Sequence, residues 1–234
     1  MNEIKFIEEL EKMNIVLNEH QKEQLQKYYE LLIEWNKKIN LTRIIKKEDV
    51  YLKHFYDSLT ITKIIDLNTE KYKLCDVGTG AGFPGVILKI VYPQLEVVLL
   101  DSLNKRINFL KDVIEKLQLK NITAVHERME EYSKEHEEEF DIITSRAVAK
   151  TNIITEISVK ALKIGGHIIL MKGICDDEIK ESEKIIEKLK CKIVKREKFE
   201  LPIEKSNRTL IDILKKEKTP SIYPRSIDKI KKTL

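Results

Sequence analysis

An acidic residue followed by closely spaced glycines makes LCDVGTGAGFPG, residues 74–85, the strongest chemical motif of the chain. Read from Gly80, it contains G-x-G-x-x-G, the motif that binds the pyrophosphate of dinucleotides. That motif places its first glycine directly after a strand. Here the apolar run ends at Val77, and the first glycine of the turn is Gly78. The dinucleotide motif is therefore displaced from the position that its chemistry requires.

Read from Asp76, the same stretch contains D-x-G-x-G-x-G, which favours S-adenosylmethionine as the ligand. Asp76 ends a predicted strand, where parallel sheets bind their ligands. A carboxylate is poorly placed beside a pyrophosphate but well placed beside an ammonium and a sulfonium. We expect Gly78, Gly80 and Gly82 to let the backbone approach the ligand, and Gly85 to serve helix packing. A glycine turn that binds no ligand is the alternative.

Polar residues that end other predicted strands lie beside the same expected site. Asp101 follows the second strand, and a carboxylate there can accept hydrogen bonds from both ribose hydroxyls of either cofactor. Arg146 and Lys172 follow the fourth and fifth strands. Because the carboxyl ends of parallel strands share one edge of a sheet, we expect these side chains to lie close together.

Short apolar runs alternate with helical patterns from residue 73 onward, which predicts an α/β fold with a mostly parallel sheet and helices on both faces. The seven predicted strands are 73–77, 96–100, 122–126, 140–144, 167–171, 192–201 and 209–214. The predicted helices are 85–91, 105–117, 129–138, 152–162 and 177–189. Since no helix separates the last two strands and Pro202 lies between them, we expect an antiparallel hairpin at an edge.

Residues 1–67 are predicted to be an N-terminal helical extension, and residues 68–234 to be the catalytic domain with a basic C-terminal segment. Asn18 is a predicted helix N-cap. One apolar stripe follows it at three- and four-residue steps: Leu25, Tyr28, Tyr29, Leu32, Trp35 and Ile39. A second stripe runs through Val50, His54 or Phe55, Leu59 and Ile61. We expect Trp35 and Asn40 to fix these helices.

Composition narrows the class of protein further. No segment is long and apolar enough to span a membrane, and the start does not resemble a secretory signal. The three cysteines are widely separated and predict neither disulfides nor a zinc site, which favours a cytoplasmic protein with a buried thiol at Cys75. Residues 205–234 carry nine Lys/Arg and three Asp/Glu, a basic segment that attracts polyanions. A solvated lysine-rich surface is the alternative, and a monomer is the default expectation.

Motifs along nearly the whole chain resemble the bacterial small-subunit ribosomal RNA methyltransferase G family, also called glucose-inhibited division protein B. They are EWNKKINLT (34–42), HFYDSL (54–59), DVGTGAGFPG (76–85), LLDSLNKRINFL (99–110), ERMEEY (127–132), SRAVA (145–149), MKG (171–173) and YPR (223–225). The resemblance implies a Rossmann-like, seven-stranded S-adenosylmethionine-dependent methyltransferase fold. It also implies methyl transfer to N7 of a guanine in 16S rRNA, with free rRNA or the small ribosomal subunit as the partner.

The resemblance also implies positions for the cofactor. These are Gly78 and Phe83 in the glycine loop, Asp101 after the second strand, Met129 and Glu130 beside the adenine, and Arg146 facing the reaction site. Met129 replaces the small residue expected there. The chain after Arg225 continues as SIDKIKKTL, without the glycine and proline that are usual in the family.

The chemistry of the chain agrees with attack by N7, which carries a free lone pair and loses no proton. Alignment of the reactants then supplies the rate, and no general base is required. We therefore expect His54 and Asp57 to be packing residues rather than an acid–base pair. The sequence TSRAV after the fourth strand is not the Asn/Asp-Pro-Pro-aromatic motif that holds an exocyclic amine, and it offers no cysteine for covalent attack.

Four residues are expected to bind the RNA substrate. Arg146 is predicted to orient the guanine or a phosphate, with a strand-end arginine paired to an acid as the alternative. Lys172 lies at the same edge, and Tyr223 and Arg225 combine an aromatic ring with positive charge. Two other function classes stay open, a methyltransferase for small molecules and an RNA-binding protein without catalysis.

Overall fold

Seven strands form one mixed sheet in the computed structural model, which describes residues 1–232. In sheet order the strands are β3 (Ile122–His126), β2 (Glu96–Asp101), β1 (Lys73–Val77), β4 (Phe140–Arg146), β5 (Leu162–Lys172), β7 (Asn207–Lys215) and β6 (Cys191–Glu200). The pairs among β1 to β5 are parallel, whereas β7 pairs antiparallel with both β5 and β6. The predicted α/β fold and its terminal antiparallel hairpin are confirmed.

Helices connect the parallel strands. They are α5 (Gly85–Val91), α6 (Asn104–Lys116), α7 (Met129–Glu135), α8 (Thr151–Ser158) and α9 (Asp176–Lys188), and a short α10 (Ile227–Lys231) follows the sheet. The prediction extended the fourth of these helices to residue 162. In the structure α8 ends at Ser158, and Leu162 already pairs with Phe140 of β4. Residues 159–162, which are apolar except for Lys160, fit both patterns, so periodicity alone could not separate helix from strand.

The N-terminal region is helical, as its apolar stripes predict. Its elements are α1 (Glu3–Glu11), α2 (Glu19–Ile39), α3 (Lys47–Val50), a π-helical segment (Tyr51–Tyr56), α4 (Asp57–Leu59) and a 3-10 turn (Thr60–Lys63). Asn18 caps α2 in a capping box with Gln21, in which each side chain accepts a backbone N–H of the other residue. The Trp35 indole donates to Asp112 Oδ2 at 2.7 Å and joins α2 to α6.

Two hydrophobic clusters lie on the two faces of the sheet. Leu74 packs in the cluster that contains the N-terminal helices, whereas its neighbour Cys75 packs in the cluster under α8 and α9. This alternation follows from the two-residue period of a strand. The buried thiol predicted at Cys75 is confirmed. Within residues 1–232, no helix combines the length and apolarity needed to cross a bilayer.

Candidate active site

The glycine loop connects β1 to α5 and turns back against the end of β2. The backbone N–H groups of Gly78 and Thr79 both donate to the Leu100 carbonyl, at 2.8 and 3.0 Å. Gly78 has a φ of +66°, and a Cβ built on it would lie 2.5 Å from Val148 Cγ2. Gly80 also has a positive φ, and its Cβ position is open except for the Gly78 carbonyl. The loop therefore presents bare backbone where a side chain would fill the space.

Asp76 lies behind this loop rather than on its open side. Its Oδ2 accepts hydrogen bonds from the Thr79 hydroxyl at 2.7 Å and from the Gly85 N–H at 2.8 Å. Burial raises the pKa of Asp76 to about 6 although those two bonds oppose the shift. The second oxygen, Oδ1, is buried without a hydrogen-bond partner among the described residues. Asp76 thus organises the loop, and its predicted contact with the cofactor stays a prediction.

Gly82 and Gly85 serve packing at the start of α5. A Cβ on Gly82 would lie 2.6 Å from the Tyr28 hydroxyl, and one on Gly85 would collide with Leu99. The close approach at Gly85 also lets its N–H reach Asp76. Packing is the role that the sequence assigns to Gly85, and Gly82 is also enclosed by side chains, those of Tyr28, Val86 and Leu110.

Asp101 joins the end of β2 to the glycine loop. Its Oδ2 accepts from the Gly80 N–H at 2.9 Å and from Arg106 Nη1 at 3.1 Å, and its Oδ1 accepts from the Leu103 N–H at 2.9 Å. These donors fix the carboxylate at the carboxyl edge of the sheet. Among the described residues, Oδ1 accepts only the hydrogen bond from Leu103, so its second lone pair can accept from a ligand hydroxyl, whereas both lone pairs of Oδ2 are engaged.

An open pocket of about 400 Å³ lies between these elements. It is lined by Leu41, Thr42, His54, Gly78, Thr79, Gly80, Ala81, Phe83, Asp101, Ser102, Arg106, Arg146, Ala147 and Val148. Thus Gly78, Gly80, Phe83, Asp101 and Arg146 converge as predicted. The volume lies within the range of small-molecule sites. Because the walls combine bare backbone with a fixed acid at the end of β2, the residues present fit an adenosine-containing cofactor.

Arg146, at the end of β4, is held by the N-terminal region. Its Nη1 donates to the Lys53 carbonyl and to Asp57 Oδ2, both at 3.0 Å, and its guanidinium lies 5.3 Å from the centre of the Phe83 ring. Arg208 Nε donates to the other oxygen of Asp57 at 3.0 Å. The buried Asp57 is therefore shared by two arginines from different strands, and both of its carboxylate oxygens are engaged in ion pairs.

His54 completes this network as a neutral ring. Arg146 Nη2 lies 3.0 Å from Nδ1, and because a guanidinium can only donate, Nδ1 must accept. The proton is therefore assigned to Nε2, which lies 3.1 Å from the Thr42 hydroxyl. Burial, together with the charge of Arg146, lowers the pKa of His54 to about 3. The ring also stacks on Phe83, with centroids 4.5 Å apart.

The other predicted site residues lie outside the lining of this pocket. Met129 is buried at the start of α7, and Glu130 lies 3.6 Å from Arg128. Lys172 is bonded to Ala149 and Glu178. Arg225 is bonded through its side chain to both oxygens of the buried Glu156, and its guanidinium lies 5.7 Å from the Tyr223 ring.

Sequence reasoning did not single out Thr42, Arg106 or Arg208, which contact His54, Asp101 and Asp57 respectively. Thr42 and Arg106 lie inside motifs that carried the resemblance, but no local spacing distinguished them from surface residues. Arg208 is separated from Asp57 by 151 positions, so only the sheet topology brings them together.

The comparisons with known proteins agree with this geometry. The family model described as GidB, rRNA small subunit methyltransferase G, matches residues 21–210. The ribosomal RNA small subunit methyltransferase G of Macrococcus caseolyticus is 46% identical over 227 residues, 96% of this chain and 95% of that protein. The protein of the same name from Staphylococcus carnosus is 47% identical over 223 residues, 94% and 92% of the two chains.

Solved structures resemble the chain at the level of the fold. The Bacillus subtilis tRNA methyltransferase TrmK has a TM-score of 0.56 at 14% identity, covering 71% of this chain and 68% of its own. The M. jannaschii protein TYW2, solved in complex with AdoMet, has a TM-score of 0.52 at 16% identity, covering 62% of this chain and 69% of its own. At these identities the likeness concerns the fold alone.

Proposed function

Because the chain belongs to the rRNA small subunit methyltransferase G family, we propose that it transfers a methyl group from S-adenosylmethionine to N7 of a guanine in 16S rRNA. The observation that carries the proposal is the pocket at the carboxyl edge of the sheet, where bare glycine backbone faces Asp101. The high identity to named relatives over nearly the whole chain supports the same substrate class.

The chain holds the cofactor through backbone and carboxylate. S-adenosylmethionine supplies a methyl group activated by its sulfonium. Asp101 Oδ1 would accept from a ribose hydroxyl, and Gly78 and Gly80 would let the backbone approach the ligand closely. Met129 and Glu130, at the start of α7, are proposed to contact the adenine because α7 follows β3 at the same edge of the sheet.

Attack by N7 requires no proton to be removed, and the groups beside the pocket agree with this because their acceptors are already engaged. His54 is neutral, its Nδ1 is occupied by Arg146 and its Nε2 faces Thr42. Asp57 is occupied by two arginines. N7 attacks with its own lone pair, so these groups can stay in their hydrogen bonds during the reaction. An exocyclic amine would need a proton acceptor, and this arrangement favours N7 over such a target.

Arg146 is the residue that we propose to orient the substrate. Among the described residues, its partners engage three of its five N–H groups, and two are left to donate to guanine O6 or to a phosphate. Methylation at N7 leaves a positive charge on the guanine ring. Asp57, which is shared with Arg208, offsets part of the charge of Arg146 and so reduces the repulsion between the guanidinium and that ring.

The basic C-terminal segment is proposed as a further RNA contact. Tyr223 can stack on a base, and the surrounding cations can bind phosphate. Arg225 supports this contact indirectly by anchoring the segment to Glu156.

Methyl transfer to defined substrates tests the proposal. The protein is incubated with S-adenosylmethionine labelled in the methyl group and with either 30S subunits or free 16S rRNA, and the labelled base is identified after nuclease digestion. We expect label on N7 of a single guanine. Label on another atom or only on small molecules would overturn the proposal, as would RNA binding without transfer.

A matched pair of variants connects the activity to the pocket. Asp101→Asn keeps the size of the side chain and removes its charge, so we expect about 30-fold weaker cofactor binding from the loss of charged hydrogen bonds. Asp176→Asn alters an exposed aspartate that is paired with Lys198, and serves as the control. Equal cofactor affinity in the two variants would contradict the role of Asp101.

A further inference from the structure

One wall of the pocket is the short segment 147–150, between the end of β4 and the start of α8. Ala147 and Val148 line the pocket. Val148 packs directly over Gly78, where its Cγ2 lies 2.5 Å from the position that a Cβ would take. Ala147 has a φ of +55°, a conformation that costs energy for a residue with a side chain. Surrounding contacts must therefore hold the segment in place.

Lys172 and Glu178 make those contacts at the far end of the segment. Lys172 Nζ, at the end of β5, donates to the Ala149 carbonyl at 2.5 Å and to Glu178 Oε1 at 2.8 Å. Glu178 Oε1, on α9, accepts from the Thr151 N–H at 2.5 Å and from the Thr151 hydroxyl at 2.6 Å. The pair thus joins β5 and α9 to both sides of the turn into α8.

The start of α8 explains why Glu178 is needed. The N-cap residue Lys150 provides no side-chain hydrogen bond to the helix. The first N–H groups of a helix have no partners within the helix and favour a negative charge. Glu178 supplies both an acceptor and a charge from a neighbouring helix. Burial opposes ionisation of Glu178, but its bonds to Lys172 and Thr151 lower its pKa below the usual value.

We propose that Lys172 and Glu178 are positioning residues that hold segment 147–150 against the glycine loop and thereby set the affinity for the cofactor. The inference rests on the proposed function, because it assigns the pocket to S-adenosylmethionine. In this proposal Lys172 acts by binding the Ala149 carbonyl and does not contact the RNA directly.

A second ion pair, which joins segment 147–150 to α9, provides a control. Lys150 Nζ lies 3.5 Å from Glu181 Oε2, and their side chains are 49% and 62% exposed. Lys172 and Glu178 are only 12% and 24% exposed. Exposed pairs contribute little to stability, so loss of the Lys150–Glu181 pair should leave the segment in place.

The test compares Glu178→Gln, Lys172→Met, the double variant and the control Glu181→Gln. Cofactor affinity is measured by equilibrium dialysis with labelled S-adenosylmethionine, and KM and kcat are measured with 30S subunits. If loss of the Lys172–Glu178 pair leaves segment 147–150 in its binding conformation only about a tenth of the time, the apparent cofactor Kd rises about tenfold. We expect this rise in both single variants with little change in KM for the subunit.

The double variant tests whether the two residues act as one unit. We expect its cofactor Kd to match that of the single variants, because either change removes the same Lys172–Glu178 ion pair. Glu181→Gln should bind like the wild type. Thermal unfolding is recorded for each protein. If Lys172→Met does not fold, Glu178→Gln decides the test, because glutamine has the same shape as glutamate and keeps an oxygen that accepts from Thr151.

Three outcomes would overturn the inference. Wild-type cofactor affinity in Glu178→Gln would exclude a positioning role. An equal loss of cofactor affinity in Glu181→Gln would show that the effect comes from surface charge alone. A raised KM for the subunit with unchanged cofactor Kd in Lys172→Met would make Lys172 a substrate contact. Failure of the proposed function is distinguished from these results, because the wild type itself would then transfer no methyl group to the subunit.

Discussion

Arg146 and Arg225 bind buried carboxylates in similar ways but in different parts of the molecule. Arg146 donates to Asp57 at 3.0 Å, and Arg225 donates to Glu156 at 2.6 and 2.8 Å. The sequence assigned both arginines to RNA. Only Arg146 lines the pocket, whereas Arg225 fastens the C-terminal segment to α8.

The difference shows that residue type and charge do not by themselves identify a site. Arg146 ends a parallel strand, so its guanidinium lies at the edge of the sheet where ligands bind. Arg225 lies beyond the last strand, and its donors are directed at a carboxylate inside the protein. We expect the first arrangement to serve catalysis and the second to serve stability.

Removal of the Arg146 side chain should give the largest effect of the substitutions at the two arginines, and the effect should be on activity. We expect Arg146→Ala to reduce methyl transfer by about 100- to 1,000-fold, as for the loss of a preorganised donor in an active site. Arg208 keeps a hydrogen bond to Asp57, so the protein should still fold. Single-turnover transfer to 30S subunits measures the effect, and full activity would remove Arg146 from the site.

Removal of Arg225 should have the opposite result. Arg225→Ala leaves Glu156 buried without its ionic partner, so we expect the free energy of unfolding to fall by about 3 kcal/mol. Transfer per folded molecule should stay within about threefold of the wild type if the anchor acts mainly through structure. Urea unfolding and the same transfer assay measure both quantities. A large loss of activity without loss of stability would place Arg225 in the substrate site.

The neutral state of His54 predicts a dependence of stability on pH. Its pKa is about 3 in the folded chain against an ordinary value of 6.5. The unfolded chain therefore binds the proton first, and stability is lost as pH falls from about 6.5 toward 3. Between pH 6.5 and 5 this loss is about 2 kcal/mol. His54→Asn keeps an acceptor for Arg146 and should weaken the dependence on pH in urea unfolding; an unchanged pH profile would contradict the assignment.

Replacement of Arg225 by lysine should give the smallest effect. Lysine keeps the charge beside Glu156 but loses the paired geometry of the guanidinium. We expect Arg225→Lys to lower the free energy of unfolding by about 1 kcal/mol, the net value of one hydrogen bond. If urea unfolding instead shows the same loss as Arg225→Ala, the geometry of the pair matters more than its charge.

Much of the fold could be predicted from local pattern. The strands follow short apolar runs, and Asn18, a residue type that favours helix N-caps, predicts the start of α2. The position of Asp101 at a strand end predicted its place in the pocket, because parallel strands align their carboxyl ends. The motifs that carried the family resemblance supplied the substrate class, which no strand or helix pattern contains.

The remaining features depend on contacts that no local pattern records. Asp76 has the residue type of a ligand contact, and its hydrogen bonds to Thr79 and Gly85 give it a further role as the support of the glycine loop. Lys172 ends a strand like Arg146, and the nearby Glu178 and Ala149 determine its direction. Such outcomes depend on three-dimensional neighbours from distant parts of the chain.

The place of β7 has a consequence for synthesis of the protein. It is the last strand to leave the ribosome, yet it lies between β5 and β6 and supplies Arg208 to Asp57. Until Lys215 has emerged, the nascent chain exposes an open edge of β5, which other strands can pair with. A chain truncated before β7 would therefore be prone to aggregation and would not fold as a smaller enzyme.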